Sequence, residues 1–195
     1  MEVALLPDPV TERCEEVNVK ICGGLLILSL AMLSACAPTH QVFPPKTMEG
    51  IDTHFDFSRW SDGSESKHVQ LGGRIVRAQS SDDGVIIVVS QLPIVAYPAY
   101  GPKDNGENNG EFVVVYQGTI ETPNLQPGNR VIAVGVTRPW RTFTVKGLSR
   151  SFPVLAAQCL HFWNTQGREI SDFPHYGAGY VTLRQDTVCV SAPAL

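Results

Sequence analysis

From residue 69 onward, apolar runs rich in Val, Ile and Phe alternate with clusters of Gly, Pro, Asn, Asp and Ser. Branched and aromatic side chains fit a pleated surface while small polar ones accept turns, so the pattern predicts short β-strands. No long segment repeats every 3.6 residues. Strands are expected at 71–79 and 85–95, joined as an antiparallel hairpin through Ser80-Ser81-Asp82-Asp83-Gly84. Val85-Ile86-Ile87-Val88-Val89 is apolar on both faces and belongs in the middle of a sheet. A long polar loop, 97–110, precedes a third strand at 111–120. The turn Pro123-Asn124-Leu125-Gln126-Pro127-Gly128 leads into a fourth strand at 129–137. There Val131, Ala133 and Gly135 share one face, Ile132, Val134 and Val136 the other, and the small residues predict tight curvature or a close neighbour. The stretch 142–146 alternates with Phe143 and Val145 inward, 152–163 is a further apolar segment, and 180–191 has room for one or two more strands.

Five or six short curved strands with few helical signals predict an all-β domain, a small closed or partly open β-barrel of the OB type, with a β-sandwich as the alternative. The strands are too few, and lack the aromatic girdles, for a porin-type spanning barrel. Apolar residues make up 43% and charged residues 17% of 195, proportions that suit one globular domain.

The amino-terminal third follows a different pattern. Ile21-Cys22-Gly23-Gly24-Leu25 opens an uncharged run to Ala35, about the length of a signal-peptide apolar region and short for a membrane span. The run ends in Leu33-Ser34-Ala35-Cys36, which resembles a lipobox. The resemblance implies removal of 1–35 and lipidation of Cys36, with small residues at Ser34 and Ala35 fitting a peptidase cleft. An ordinary secretory signal cleaved at Ala35, or an uncleaved buried helix, is the alternative. Ala37 comes next, where enterobacterial lipoproteins retained in the inner membrane carry aspartate, so delivery to the outer membrane facing the periplasm is expected. The segment 2–20 is acidic, unlike a signal n-region, and translation from Val17 would leave Met-Asn-Val-Lys before the apolar run. Residues 1–35 hold Glu2, Asp8, Glu12, Glu15 and Glu16 against Arg13 and Lys20, so the net charge of −4 becomes −1 without them. Neither value points to nucleic acid or a polybasic membrane patch. Residues 36–50, with Pro38, Pro44 and Pro45, read as an extended tether, 51–163 as the barrel domain and 164–195 as a tail.

Within that frame, Leu71-Gly72-Gly73-Arg74-Ile75-Val76, Gln91-Leu92-Pro93-Ile94, Gly110-Glu111-Phe112, Gln126-Pro127-Gly128-Asn129-Arg130-Val131 and Phe152-Pro153-Val154 ending at Trp163 resemble the Slp family of starvation-inducible outer-membrane lipoproteins. The resemblance covers about 33 to 163. It implies an envelope protein linked to starvation, with no assigned chemistry. The motifs themselves read structurally: Gly72-Gly73 permits a bend or bulge at a strand entrance and Pro127-Gly128 a tight turn. The 97–110 loop looks expanded, and the tail beyond Trp163 matches no family pattern.

Candidate chemistry is sparse. Gly147-Leu148-Ser149-Arg150-Ser151 lacks the last glycine of a nucleophile elbow, and a turn accounts for Asp82-Asp83. No phosphate loop, dinucleotide fingerprint or haem-attachment pair is present. Cys159 and His161 would share a strand face, but two ligands do not make a zinc site, so neither metal nor cofactor is expected. Of five cysteines, Cys14 and Cys22 leave with the signal and Cys36 is lipidated. Cys159 and Cys189 remain for a disulfide in an oxidising periplasm, two separate buried thiols being the alternative. The aromatics Phe55, Phe57, Trp60, Trp140, Phe143, Phe162 and Trp163 read chiefly as core. Two functions are expected of such a chain: a non-enzymatic envelope lipoprotein bound to the membrane by its lipid and contacting envelope proteins, or a glycan or small-ligand module using Tyr97, Tyr100 and Trp140. A hydrolase is an outsider.

Overall fold

The computed structural model describes residues 42–60, 66–81, 84–107, 109–145, 148–173 and 182–190, all within one compact unit, His40–Leu195. The expected signal segment and the lipobox residues Leu33 to Cys36 lie outside the described residues. Among the described residues eight strands form: β1 (His68–Ser81), β2 (Gly84–Gln91), β3 (Ile94–Val95), β4 (Gly101–Pro102), β5 (Glu111–Tyr116), β6 (Arg130–Val145), β7 (Leu148–Trp163) and β8 (Gln185–Cys189).

The doubly apolar run 85–89 is central, since β2 is antiparallel to β1 along one edge and β5 along the other, with Val85, Ile87 and Val89 in the core and Val88 in an outer cluster with Val113 and Phe152. β1 then pairs with β6 and β6 with β7, both antiparallel. A parallel pairing of β5 with β7, from Val113↔Val154 to Tyr116↔Ala157, joins the two ends into a ring. That closure decides for the barrel over the sandwich. Counted in chain order, the five ring strands run 1-2-3-5-4, the Greek-key order of an OB barrel.

Alternation fills the interior. Val69, Leu71, Val85, Ile87, Val89, Phe112, Val114, Val131, Ala133, Leu155, Leu160 and Phe162 pack together with at most 3% exposure, the signature of one close-packed core. Ile132 and Val134 point outward into a second cluster, as their alternation with Val131 and Ala133 requires. Two glycines let strands cross closely. A Cβ on Gly73 would lie 2.3 Å from the Ser90 carbonyl oxygen, and one on Gly135 would lie 2.2 Å from that of Ala156. Gly73 sits mid-strand, not at an entrance, at the point where β1 is paired with both β6 and β2.

Two expectations change. The expected tether, 36–50, is packed from residue 42: Phe43 is 3% exposed, Pro45–Met48 forms a 3-10 turn, and Met48 and Ile51 lie on the outer cluster. Outward Ile132 and Val134 need that cover. The backbone of Asp52 then bonds β1, donating to the His68 carbonyl at 2.9 Å and accepting from Gln70 at 3.0 Å. The stretches 129–137 and 142–146, expected as separate strands, form one sixteen-residue strand, β6. In the tail the described residues carry a single strand, β8, which lines β7 over 159–163.

Candidate functional site

Beyond Val136, β6 leaves β1 and runs on with β7 alone, so 138–145 and 148–153 form a two-stranded arm. At its base the register slips: Arg138 pairs with Val154 and Arg141 with Phe152, leaving Pro139 and Trp140 opposite Pro153. Neither proline has an N–H to give the ladder, and the extra residue makes a bulge. Trp140 stands there at 37% exposure. The bulge also reverses the facing of the residues beyond it. Phe143, expected inward, packs outside the barrel against Phe152, with Val88 and Val113 in the same cluster.

The arm forms one wall of a cleft of about 450 Å³. Trp140, Arg150 and Phe152 face Phe57, Trp60 and Glu111 across it, with Ser58, Asn109 and Ser151 at its margins. Arg150 reaches Glu111 at 3.5 Å and lies 5.4 Å from the centre of the Phe152 ring, both at a half-exposed site where an ion pair is worth little. The opposite wall is built by stacking edges. Phe55 and Phe57 meet Trp60 at 5.8 and 5.9 Å between ring centres, and Phe57 meets Phe112 of the core at 5.7 Å. Asp56 accepts from the Ser58 backbone N–H and hydroxyl, holding that turn, and the hydroxyl bond leads in keeping its carboxyl below the ordinary range. Trp60 is 4% exposed, and its Nε1 has no acceptor among the described residues.

The other two ligand-binding candidates lie elsewhere. Tyr97 is 85% exposed on the loop. Tyr100 packs in the outer cluster and accepts a bond from Gln70 Nε2 at 3.1 Å. The short β3–β4 ladder, Ile94↔Pro102, folds the 97–110 loop back on the barrel, so Tyr100 and Trp140 serve different places.

At the far end of β7, Cys159 and Cys189 stand opposite each other and form a disulfide, 4.1 Å between Cα atoms. Cys159 lies on the outer cluster and links it to the tail. His161, two residues on, does not meet a metal-like set: among the described residues no three His, Cys, Asp or Glu gather. Its Nδ1 shares a 2.6 Å bond with the Thr187 hydroxyl, its Nε2 a 3.2 Å bond with Gln185 Oε1, and Trp163 and Phe43 flank the ring. Burial lowers its pKa below 6.5, against the Gln185 bond and the Asp186 charge.

Sequence reading missed the polar girdle beneath β6. Asn129, fully buried, donates to the Pro123 carbonyl at 2.8 Å and to Asn164 Oδ1 at 3.1 Å, and accepts from Gln166 N–H at 3.1 Å. Arg130, 1% exposed, is paired with Glu169, while its Nε and Nη1 have no partner among the described residues. Burial lowers its pKa and Glu169 opposes that shift. The available signal was parity: Arg130 shares the face of Ile132 and Val134, which are outward yet covered.

The outer membrane lipoprotein Slp family matches the chain over residues 33–187, from the first residue of Leu33-Ser34-Ala35-Cys36 through most of β8. The chain belongs to this family. It is therefore an outer-membrane lipoprotein, and the Slp-like region extends past Trp163, where the resemblance was expected to end. The reason is architectural, since β8 completes the outer edge of β7 and belongs with the barrel. No curated protein and no solved structure matches this Slp-family chain.

Proposed function

We propose that this Slp-family protein is a non-enzymatic module of the outer membrane, held by lipid on Cys36, with its barrel facing the periplasm and contacting other envelope proteins during starvation or stress. The observation that carries the reading is the extent of the family match, which begins at Leu33 and so covers Leu33-Ser34-Ala35-Cys36 as well as the barrel. An acyl chain contributes about 0.8 kcal/mol per buried CH₂, and two or three chains hold a protein for long times. Cys36 supplies the thiol for such an anchor once 1–35 is removed as a signal peptide. The non-enzymatic part is supported by how the groups with displaced pKa values are used. Asp56 caps a turn, Tyr116 lies in the core, Arg130 is paired beneath β6, and His161 holds β8.

Cell fractionation of Cys36→Ala tests the anchor. The variant is expected to leave the membrane fraction, and mass spectrometry of the native amino terminus to find acylated Cys36. Retention of the variant in washed membranes, or an unmodified cysteine, would overturn the reading. Crosslinking from Tyr97 in stationary-phase cells is expected to capture envelope proteins, and protection of the barrel from protease added to intact cells is expected for the periplasmic side.

A further inference from the structure

We infer that the cleft between the 138–153 arm and the Phe57–Trp60 wall is a binding site for an uncharged saccharide of one or two rings. The site is shaped by construction, because the paired prolines at the bulge place Trp140 at its rim. Its size, about 450 Å³, falls within the range of small-molecule sites, about 300–1,000 Å³.

The chemistry of the walls selects the class of ligand. Trp140 and Phe57 line the cleft, and aromatic rings suit the apolar C–H faces of a pyranose ring, which needs a platform and not a charge. Around that platform stand planar polar groups. Arg150 and Glu111 offer paired donors and paired acceptors, the geometry that two neighbouring hydroxyls of a sugar can satisfy together. Their own contact is long, 3.5 Å, and half exposed, so hydroxyl groups can enter between them at little cost.

Charge argues against an ionic ligand. The single guanidinium and single carboxylate on the cleft balance, so neither a phosphate nor an ammonium group finds an uncompensated partner there. The second independent observation is Trp60. Its side chain lines this cleft, and its buried indole N–H has no acceptor among the described residues, a state that buried donors seldom keep. A small shift of this wall on binding would bring a sugar hydroxyl or acetamido carbonyl to that donor.

The test uses the mature lipidated protein in detergent, titrated with the neutral disaccharides N,N′-diacetylchitobiose and maltose, tryptophan fluorescence being read. Saturable change is expected with at least one of them. Trp140→Ala is expected to weaken it at least about tenfold, as loss of a stacking platform worth about 1.4 kcal/mol or more would do. Arg150→Gln, which keeps an N–H donor but loses the charge and the reach of the guanidinium, is expected to weaken it about fivefold with an unchanged denaturation midpoint. Three outcomes overturn the inference: no saturable response to either sugar, undiminished binding by Trp140→Ala, or a response confined to glucuronic acid, glucose 6-phosphate or a proline-rich peptide. Loss of membrane anchoring leaves this result untouched, so the two proposals fail separately.

Discussion

The same hairpin, β6 with β7, is two different materials along its length. In the proximal half, Val131, Ala133, Leu155 and Leu160 lie in the core, and β1, β5 and β8 all bond to the pair. In the distal half, 138–153, the two strands pair only with each other, and Arg138, Trp140, Arg141 and Arg150 are exposed. Between 122 and 168 the chain has six basic residues and no acidic one, three of them exposed on the arm. The contrast teaches that one strand pair can carry stability and presentation separately, with a bulge at 139–140 as the boundary.

Substitutions should break that contrast in graded steps. The largest effect is expected at Gly135→Val, where a side chain must enter space held by the Ala156 carbonyl and the Ala157 Cα at 2.8 Å. A loss of more than about 4 kcal/mol, or no folded protein, should appear in urea denaturation. Next, Cys189→Ser opens a crosslink across a separation of 30 residues and should cost about 3–4 kcal/mol by the loop-entropy relation, read as a lower denaturation midpoint.

The Arg130 and Glu169 pair offers a sharper comparison. Glu169→Gln strands a buried cation and should cost about 3 kcal/mol, whereas Arg130→Met removes the cation with its two unpartnered nitrogens and should be near neutral. Equal losses in the two variants would contradict this account.

His161 makes the proximal half sensitive to pH. Its folded pKa is depressed, so the unfolded chain takes up the proton first on acidification. The contribution is fully present above about 6.5 and is lost as pH falls through the lower folded value. Thermal melts of wild type and His161→Gln should therefore converge in their pH slopes only above that point, with the variant flatter below it. The smallest effect is expected on the arm, where Arg141→Ser should change stability by less than about 0.5 kcal/mol.

Alternation made much of this fold legible. The facing of Val131 against Ile132 stems from a period of two, which survives wherever the ladder is regular, while the central position of 85–89 stems from a run apolar on both faces and the β1–β2 hairpin from its turn residues. Legibility failed where the ladder is irregular. Pro139 looks like a breaker, yet its missing N–H falls opposite another proline and the strand continues. The residue inserted there then shifts the parity of the strand, which is why Phe143 faces outward. The cleft was less legible still. Trp140 was singled out, but its neighbours Phe57, Trp60 and Arg150 come from segments far apart in the chain, and no local spacing announces them. Tyr97 and Tyr100, near in sequence to one another, are drawn away by the fold of their own loop. The anchor residues were read from their order alone.

The parallel pairing of β5 with β7 has a kinetic consequence. Its first contact joins Val113 to Val154, so the ring closes only through β7, the last of its strands in the chain. A polypeptide emerging amino end first can form the meander of β1, β2 and β5, but its ring stays unsealed until its last long strand has emerged. Contacts distant in sequence are also the slow ones to make. Sealing is thus the late step of assembly, and conditions that delay it expose the Val114 and Phe112 side of an unfinished sheet to chaperones and proteases before the protein has a cavity to offer.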